Sequence, residues 1–118
     1  MTGNYIVTCS GVSSTGKLTT QAVNVFMHRN PGIFDGHFQI SKPGITKDKA
    51  FLNAGNLLVI DGCSECCALK KLSASGCRDY LHIIATDAGI LKRGMEDPNY
   101  SEIELLVGEI RNCCRKNL

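Results

Sequence analysis

The chain has no tryptophan, and only 6% of its 118 residues are aromatic, four Phe and three Tyr. That scarcity removes base-stacking platforms as a theme, because single-stranded nucleic acid is held largely on aromatic faces. An excess of one charge is missing too. Thirteen Lys and Arg oppose eleven Asp and Glu, a formal net charge of +2. Neither nucleic acid nor an anionic membrane surface is therefore an expected partner. No apolar run approaches the ~18 residues of a membrane span. The opening Met1-Thr2-Gly3-Asn4 lacks the basic and apolar regions of a secretory signal and leads directly into a short strand. There are only three prolines, and no repeat or low-complexity tract interrupts the chain. Residues 1–118 are expected to form a single domain, long enough to build a core without disulfide staples.

Cysteine is what the chain does have, seven of them. An odd count without a secretory signal points to a reducing, cytoplasmic setting. There, clustered cysteines are more often metal ligands or redox groups than bridges.

Strands and helices alternate. Strands are expected at residues 5–9, 56–60 and 81–85, with a short extended piece near His37-Phe38-Gln39-Ile40. Helices are expected from Thr15 to about Met27, from Lys47 to Ala54 closed by Gly55, over 64–75 capped by Gly76, and over 101–114. The first helix carries Leu18, Ala22, Val25 and Phe26 on one face, and the last carries Ile103, Leu106, Val107 and Ile110. The second strand is apolar without a break, as in a parallel strand covered on both sides. This order predicts an α/β fold, a single-domain three-layer α/β/α sandwich around a mostly parallel sheet.

Each of the three clear strands delivers a distinct turn to the carboxyl edge of such a sheet: Cys9-Ser10-Gly11, Asp61-Gly62-Cys63 and Thr86-Asp87. Thiols at helix N-termini meet unpaired N–H groups and the positive end of the macrodipole, which favours the thiolate that binds metal or attacks an electrophile. If a helix begins at residue 63 or 64, Cys63 can share a centre with Cys66 or Cys67. Adjacent helical Cys66 and Cys67 point about 100° apart, which strains joint binding of one tetrahedral ion. A single zinc would take Cys9, Cys63 and one of that pair. His37, the other member of the pair or water would supply the fourth ligand. Asp61 and Asp87 read as helix caps, His28 and His82 carry no partner spacing, and Cys113-Cys114 reads as an exposed pair near the end of the last helix.

Three ordered patterns give a family resemblance. They are C-S-G-x-S-x-x-G-x-L from Cys9 to Leu18, D-G-C-x-x-x-C-A-x-K from Asp61 to Lys70, and T-D-x-G-I-x-K from Thr86 to Lys92. Together they resemble the DGC-domain family. The resemblance implies a small cytosolic prokaryotic protein whose shared cysteines bind zinc; in this chain the matching residues are Cys9, Cys63 and Cys67. One departure stands out. The family carries a further cysteine after the first helix, whereas residues 28–50 contain none. His37 lies near that place, and Cys66 is an additional thiol.

Gly11 to Lys17 also matches the phosphate-loop spacing G-x-x-x-x-G-K between a strand and a helix. However, Leu18 stands where a Ser or Thr would hold Mg²⁺, which argues against nucleotide hydrolysis. Backbone N–H groups from Ser13 to Gly16 would still form a nest for a small anion above Cys9. The alternative function is thus a thiol enzyme with Cys9 as nucleophile, acting in redox or oxyanion chemistry, with Cys63, Cys66 or Cys67 as the resolving thiol. Its weakness is that Thr15 occupies the position where small thiol phosphatases place an Arg.

Overall fold

The computed structural model describes residues 2–74 and 80–117. Among them, four strands form one all-parallel sheet in the order β2-β1-β3-β4. The strands are β1 (Thr2–Thr8), β2 (Gly36–Gln39), β3 (Ala54–Asp61) and β4 (Leu81–Ile84). The helices are α1 (Ser14–Arg29), α2 (Lys49–Leu52), α3 (Cys67–Ala74) and α4 (Tyr100–Asn117). No helix among the described residues is long and apolar enough to cross a membrane.

Strand alternation builds two cores. Ile6, Leu58 and Ile60 face one side of the sheet, where Leu18, Ala22, Val23 and Phe26 of α1 meet Leu106, Val107 and Ile110 of α4. Val7, Leu57 and Val59 face the other side and pack on Phe51 of α2 and on Ala68 and Leu72 of α3. The expected α/β/α sandwich is observed. Cys114 is buried in the first core and Cys113 packs partly against it, so the Cys113-Cys114 pair is not the exposed feature expected of it. Burial pushes both thiols up from their ordinary value. The helix turns them inward because Ile103, Leu106, Val107 and Ile110 lie on the same stripe.

The remaining differences lie at element ends. Gly55 belongs to β3 and does not close a helix; Asn53 takes the cap position, because Ala54 already pairs with Thr2 of β1. The third helix begins at Cys67, three residues later than expected. The expected Gly76 cap and Cys77 lie outside the described residues. Helix α4 begins with a reciprocal cap: the Asn99 side chain accepts from the Glu102 N–H at 2.9 Å, and the Glu102 carboxylate accepts from the Asn99 N–H at 2.9 Å.

Strand order determines where a site can form. From β1 the chain crosses to β2 on one side, then returns so that β3 lies on the other side of β1. The loops leaving β1 and β3 diverge, and the crevice between their carboxyl ends is the place where doubly wound sheets bind ligands.

Candidate metal centre

Cys9 ends β1 and Cys63 follows β3, so both reach this crevice. The two turns are tied together, with the Cys9 N–H donating to the Ile60 carbonyl at 3.1 Å and the Gly62 N–H donating to the Cys9 sulfur at 3.3 Å. Glycine is required at 62 by space. A Cβ there would stand 2.7 Å from the carbonyl carbon of Thr15, in the first turn of α1. A Cβ on Gly16 would likewise meet Gly11 backbone at 2.7 Å. The glycines of the first two motifs therefore let the β1 loop, α1 and the β3 turn pack together.

The result is a small cavity of about 90 Å³ lined by Cys9, Cys63, Cys66 and Cys67, with Asp61 at its base and Lys92 at its margin. All four expected cysteine ligands line one crevice. Their local structure is not the helical repeat anticipated, however. Residues 63–66 form a turn closed by the Cys66 N–H on the Cys63 carbonyl at 3.1 Å, and Cys66 has a left-handed φ of 51°. Cys63 and Cys67 are thus not one helical turn apart, and the divergence argued for a helical Cys66-Cys67 pair does not apply.

Asp61 causes the late helix start. Its carboxylate, 1% exposed, accepts from the Ala68 N–H at 2.8 Å and the Leu69 N–H at 3.2 Å, capping α3 from the end of β3. The capping role read for Asp61 is therefore observed, through a side chain that reaches across a turn. Asp87, by contrast, lies exposed in a 3₁₀ turn over Ala85–Ala88 that follows β4. The same turn is fastened to the crevice by the Thr86 N–H on the Gly62 carbonyl at 3.3 Å.

The residue that sequence reasoning missed is His82. Leu81 and Ile83 face the α1–α4 core, which turns His82 to the α3 side in register with Val59. There its Nε2 lies 2.9 Å from Asp61 Oδ2. A signal for it existed: a polar residue inside a buried strand needs a partner, and Asp61 ends the neighbouring strand. The ligand atoms of Asp61, Cys66 and His82 lie within 4.8 Å of one another, a donor group able to hold a metal ion. Burial, followed by the nearby Asp61 charge, pushes the Cys66 thiol up from its ordinary value.

His37 lies elsewhere. It pairs in register with Ile6 and so faces the α1 side of the sheet, with Nε2 2.7 Å from Thr8 Oγ1. Thr8 in turn hydrogen-bonds Ser10, whose hydroxyl accepts from Thr20 at 2.7 Å. Burial holds the His37 imidazole below its ordinary value.

In the expected anion nest, Ser13 caps α1 by accepting from the Gly16 N–H at 3.1 Å. The Ser14 N–H donates to the Gly94 carbonyl at 2.8 Å. Lys17 is turned to the Met95 carbonyl at 2.6 Å and Asp97 at 3.1 Å. Two of the amides expected to face an anion, and the nearby cation Lys17, are thus engaged within the chain. Lys92, from the third motif, lies at the thiols instead, with its Nζ 3.7 Å from the Cys63 sulfur.

A doubly wound α/β domain with thiols and a carboxylate gathered at its switch point, and an imidazole from β4 against that carboxylate, is the class that this fold and crevice define. A family model, the DGC domain, matches residues 5–110 and so includes all three motif turns. The chain belongs to the DGC-domain family. Searches of curated proteins and of solved structures found no match.

Proposed function

We propose that the protein binds a transition metal ion, zinc by its donor chemistry, in the crevice between β1 and β3. The observation that carries this reading is the approach of Asp61, Cys66 and His82 to within 4.8 Å, two of them, Asp61 and Cys66, lining the crevice that Cys9, Cys63 and Cys67 also line. Thiolate, imidazole and carboxylate are the donors zinc takes at about 2.0–2.3 Å, so these residues fit the ion. Cys66, the additional thiol between the motif cysteines Cys63 and Cys67, is common to the close group and to the lining of the crevice. Cys9 and Cys63 supply thiolates from the two strand ends, with Cys67 at the start of α3. Asp61 holds His82 in orientation, as carboxylates do for ligating imidazoles.

A bound zinc supplies Lewis acidity if a coordination position stays open and a cross-link between strand ends if all positions are filled. This chain's own part is to present the donors. The Gly62 N–H steers the Cys9 sulfur, the Asp61 cap fixes the start of α3, and the Cys66 N–H closes the turn that carries Cys63. The alternative, oxyanion chemistry at Cys9, gains no support from this geometry because Lys17 and the Ser14 and Gly16 amides are engaged elsewhere.

The test is metal content by elemental mass spectrometry, with a thiol count, on anaerobically purified protein. It compares wild type with Cys66→Ser, His82→Gln and the triple variant Cys9→Ser, Cys63→Ser, Cys67→Ser. One zinc per chain, lost in Cys66→Ser and in the folded triple variant, supports the reading. No zinc in wild type, even after titration with the ion, overturns it.

A further inference from the structure

We infer that Cys63 and Cys66 form a redox dithiol that exchanges with small anionic disulfides, with Cys63 attacking and Cys66 resolving. The inference goes beyond metal binding and needs no bound ion. It stands on two observations. The first is the turn that joins the two residues. The Cys66 N–H donates to the Cys63 carbonyl at 3.1 Å, the i to i+3 bond of a β-turn, which keeps the two Cα atoms within about 7 Å. A disulfide requires Cα atoms about 4.4–6.8 Å apart, so the turn holds the two residues near the separation that the bond spans.

The second observation is Lys92, whose ammonium lies 3.7 Å from the Cys63 sulfur at the exposed margin of the crevice. Its positive charge attracts a disulfide that carries carboxylates to this sulfur. The other thiols are less suited to attack first. The Cys9 sulfur accepts from the Gly62 N–H at the base of the crevice and packs partly against the α3-side core. Cys67, the first residue of α3, is exposed but lies outside the turn that holds Cys66 beside Cys63 as a resolving partner.

The Cys63 sulfur attacks one sulfur of the small disulfide, their bond forms, and the original S–S bond breaks. The first thiolate leaves with that electron pair and takes a proton from water. Cys66, having lost its proton to solvent, then attacks the Cys63 sulfur of the mixed disulfide. The Cys63–Cys66 bond forms and the second thiolate is expelled. Two electrons pass from the protein dithiol to the substrate, which is released as two thiols.

The experiment treats anaerobic full-length protein with oxidised glutathione, with and without prior chelation, and maps disulfides by peptide mass spectrometry. Metal is measured on the same samples. A Cys63–Cys66 linkage in wild type, a glutathione adduct trapped on Cys63 in Cys66→Ser, and an approximately five-fold slower reaction in Lys92→Met would support the inference. Five-fold is about the worth of one unit charge at this separation in water. Rescue of the rate by Lys92→Arg would show that charge, and not packing, is responsible. First attack at Cys9 or Cys67, or no Cys63–Cys66 linkage in chelated protein, would overturn it. A wild type that holds zinc yet forms no linkage once chelated defeats this inference alone. A wild type that forms the linkage but never holds metal defeats the metal reading alone.

Discussion

Replacing Asp61 by Asn should cost far more than the near identity of the two side chains suggests. The carboxylate is 1% exposed and meets three donors: the Ala68 N–H at 2.8 Å, the Leu69 N–H at 3.2 Å and His82 Nε2 at 2.9 Å. An amide has one oxygen, so it satisfies either the Ala68 side or the Leu69 and His82 side and turns its own N–H groups against the other. Hydrogen bonds to charged groups contribute about 1.5–3 kcal/mol each, and a buried donor left without a partner costs about 1–3 kcal/mol. A loss of about 2–4 kcal/mol follows, a large share of the roughly 5–15 kcal/mol that holds a domain together. At this chain length it corresponds to a fall in Tm of roughly 8–16 °C. The assay is urea unfolding in excess chelator, so that lost metal does not enter the comparison, read as a shift in midpoint at unchanged slope. His82→Gln removes one of the three donors and should cost about 1 kcal/mol. If Asp61→Asn lies within about 0.5 kcal/mol of wild type, the carboxylate does not hold α3 to β3 and β4, and the account of how Cys66 is positioned fails.

Two glycines should respond in opposite directions to alanine. Gly62→Ala drives a methyl into Thr15 backbone at 2.7 Å and should destabilise by about 1–3 kcal/mol, whereas Gly108→Ala, with nothing within 4 Å inside α4, should stabilise by up to about 1 kcal/mol; thermal unfolding of both variants checks the pair. Burial lowers the His37 value in the folded state, so the unfolded chain takes up the proton first as pH falls. Stability should therefore decline as pH drops below about 6.5, and His37→Gln should flatten that decline in urea midpoints taken from pH 7.5 to 5. Arg93 and the Asn99 N–H hold the Glu102 carboxyl below its ordinary value. Its contribution is present at neutral pH and is lost as pH falls through the carboxylate range; Glu102→Gln should cost about 1 kcal/mol at pH 7 in denaturant unfolding and lose less than wild type between pH 5 and 3.

The sheet was legible in the sequence because burial on both faces leaves unbroken apolar strands, and Leu57-Leu58-Val59-Ile60 has this character. The turns that carry the thiols were legible because each follows such a strand directly. Residues 63–66 were not. Apolar periodicity locates the body of α3 at Ala68 and Leu72, but its start is set by Asp61, whose side chain reaches forward to the Ala68 and Leu69 amides. A cap supplied from six residues before the helix leaves no local signature, so the turn was read as helix. The inference about which thiols share a face inherited that error.

Histidine shows the same limit. Sequence proximity favoured His37 over His82 as a nitrogen donor, but side-chain alternation decides the matter. In the parallel register His37 stands beside Ile6 on the α1 side, while His82 stands beside Val59, on the face to which Asp61 also points. A one-residue change in either register would turn that strand's histidine to the opposite face. What places imidazole, carboxylate and thiol together is thus the parity of two strands and one remote cap, acting at the point where the sheet's connections diverge. None of these is a property of any single motif. The D-G-C pattern is where they meet: its Asp caps α3, its Gly admits α1, and its Cys, through the turn to Cys66, faces Lys92 from the third motif.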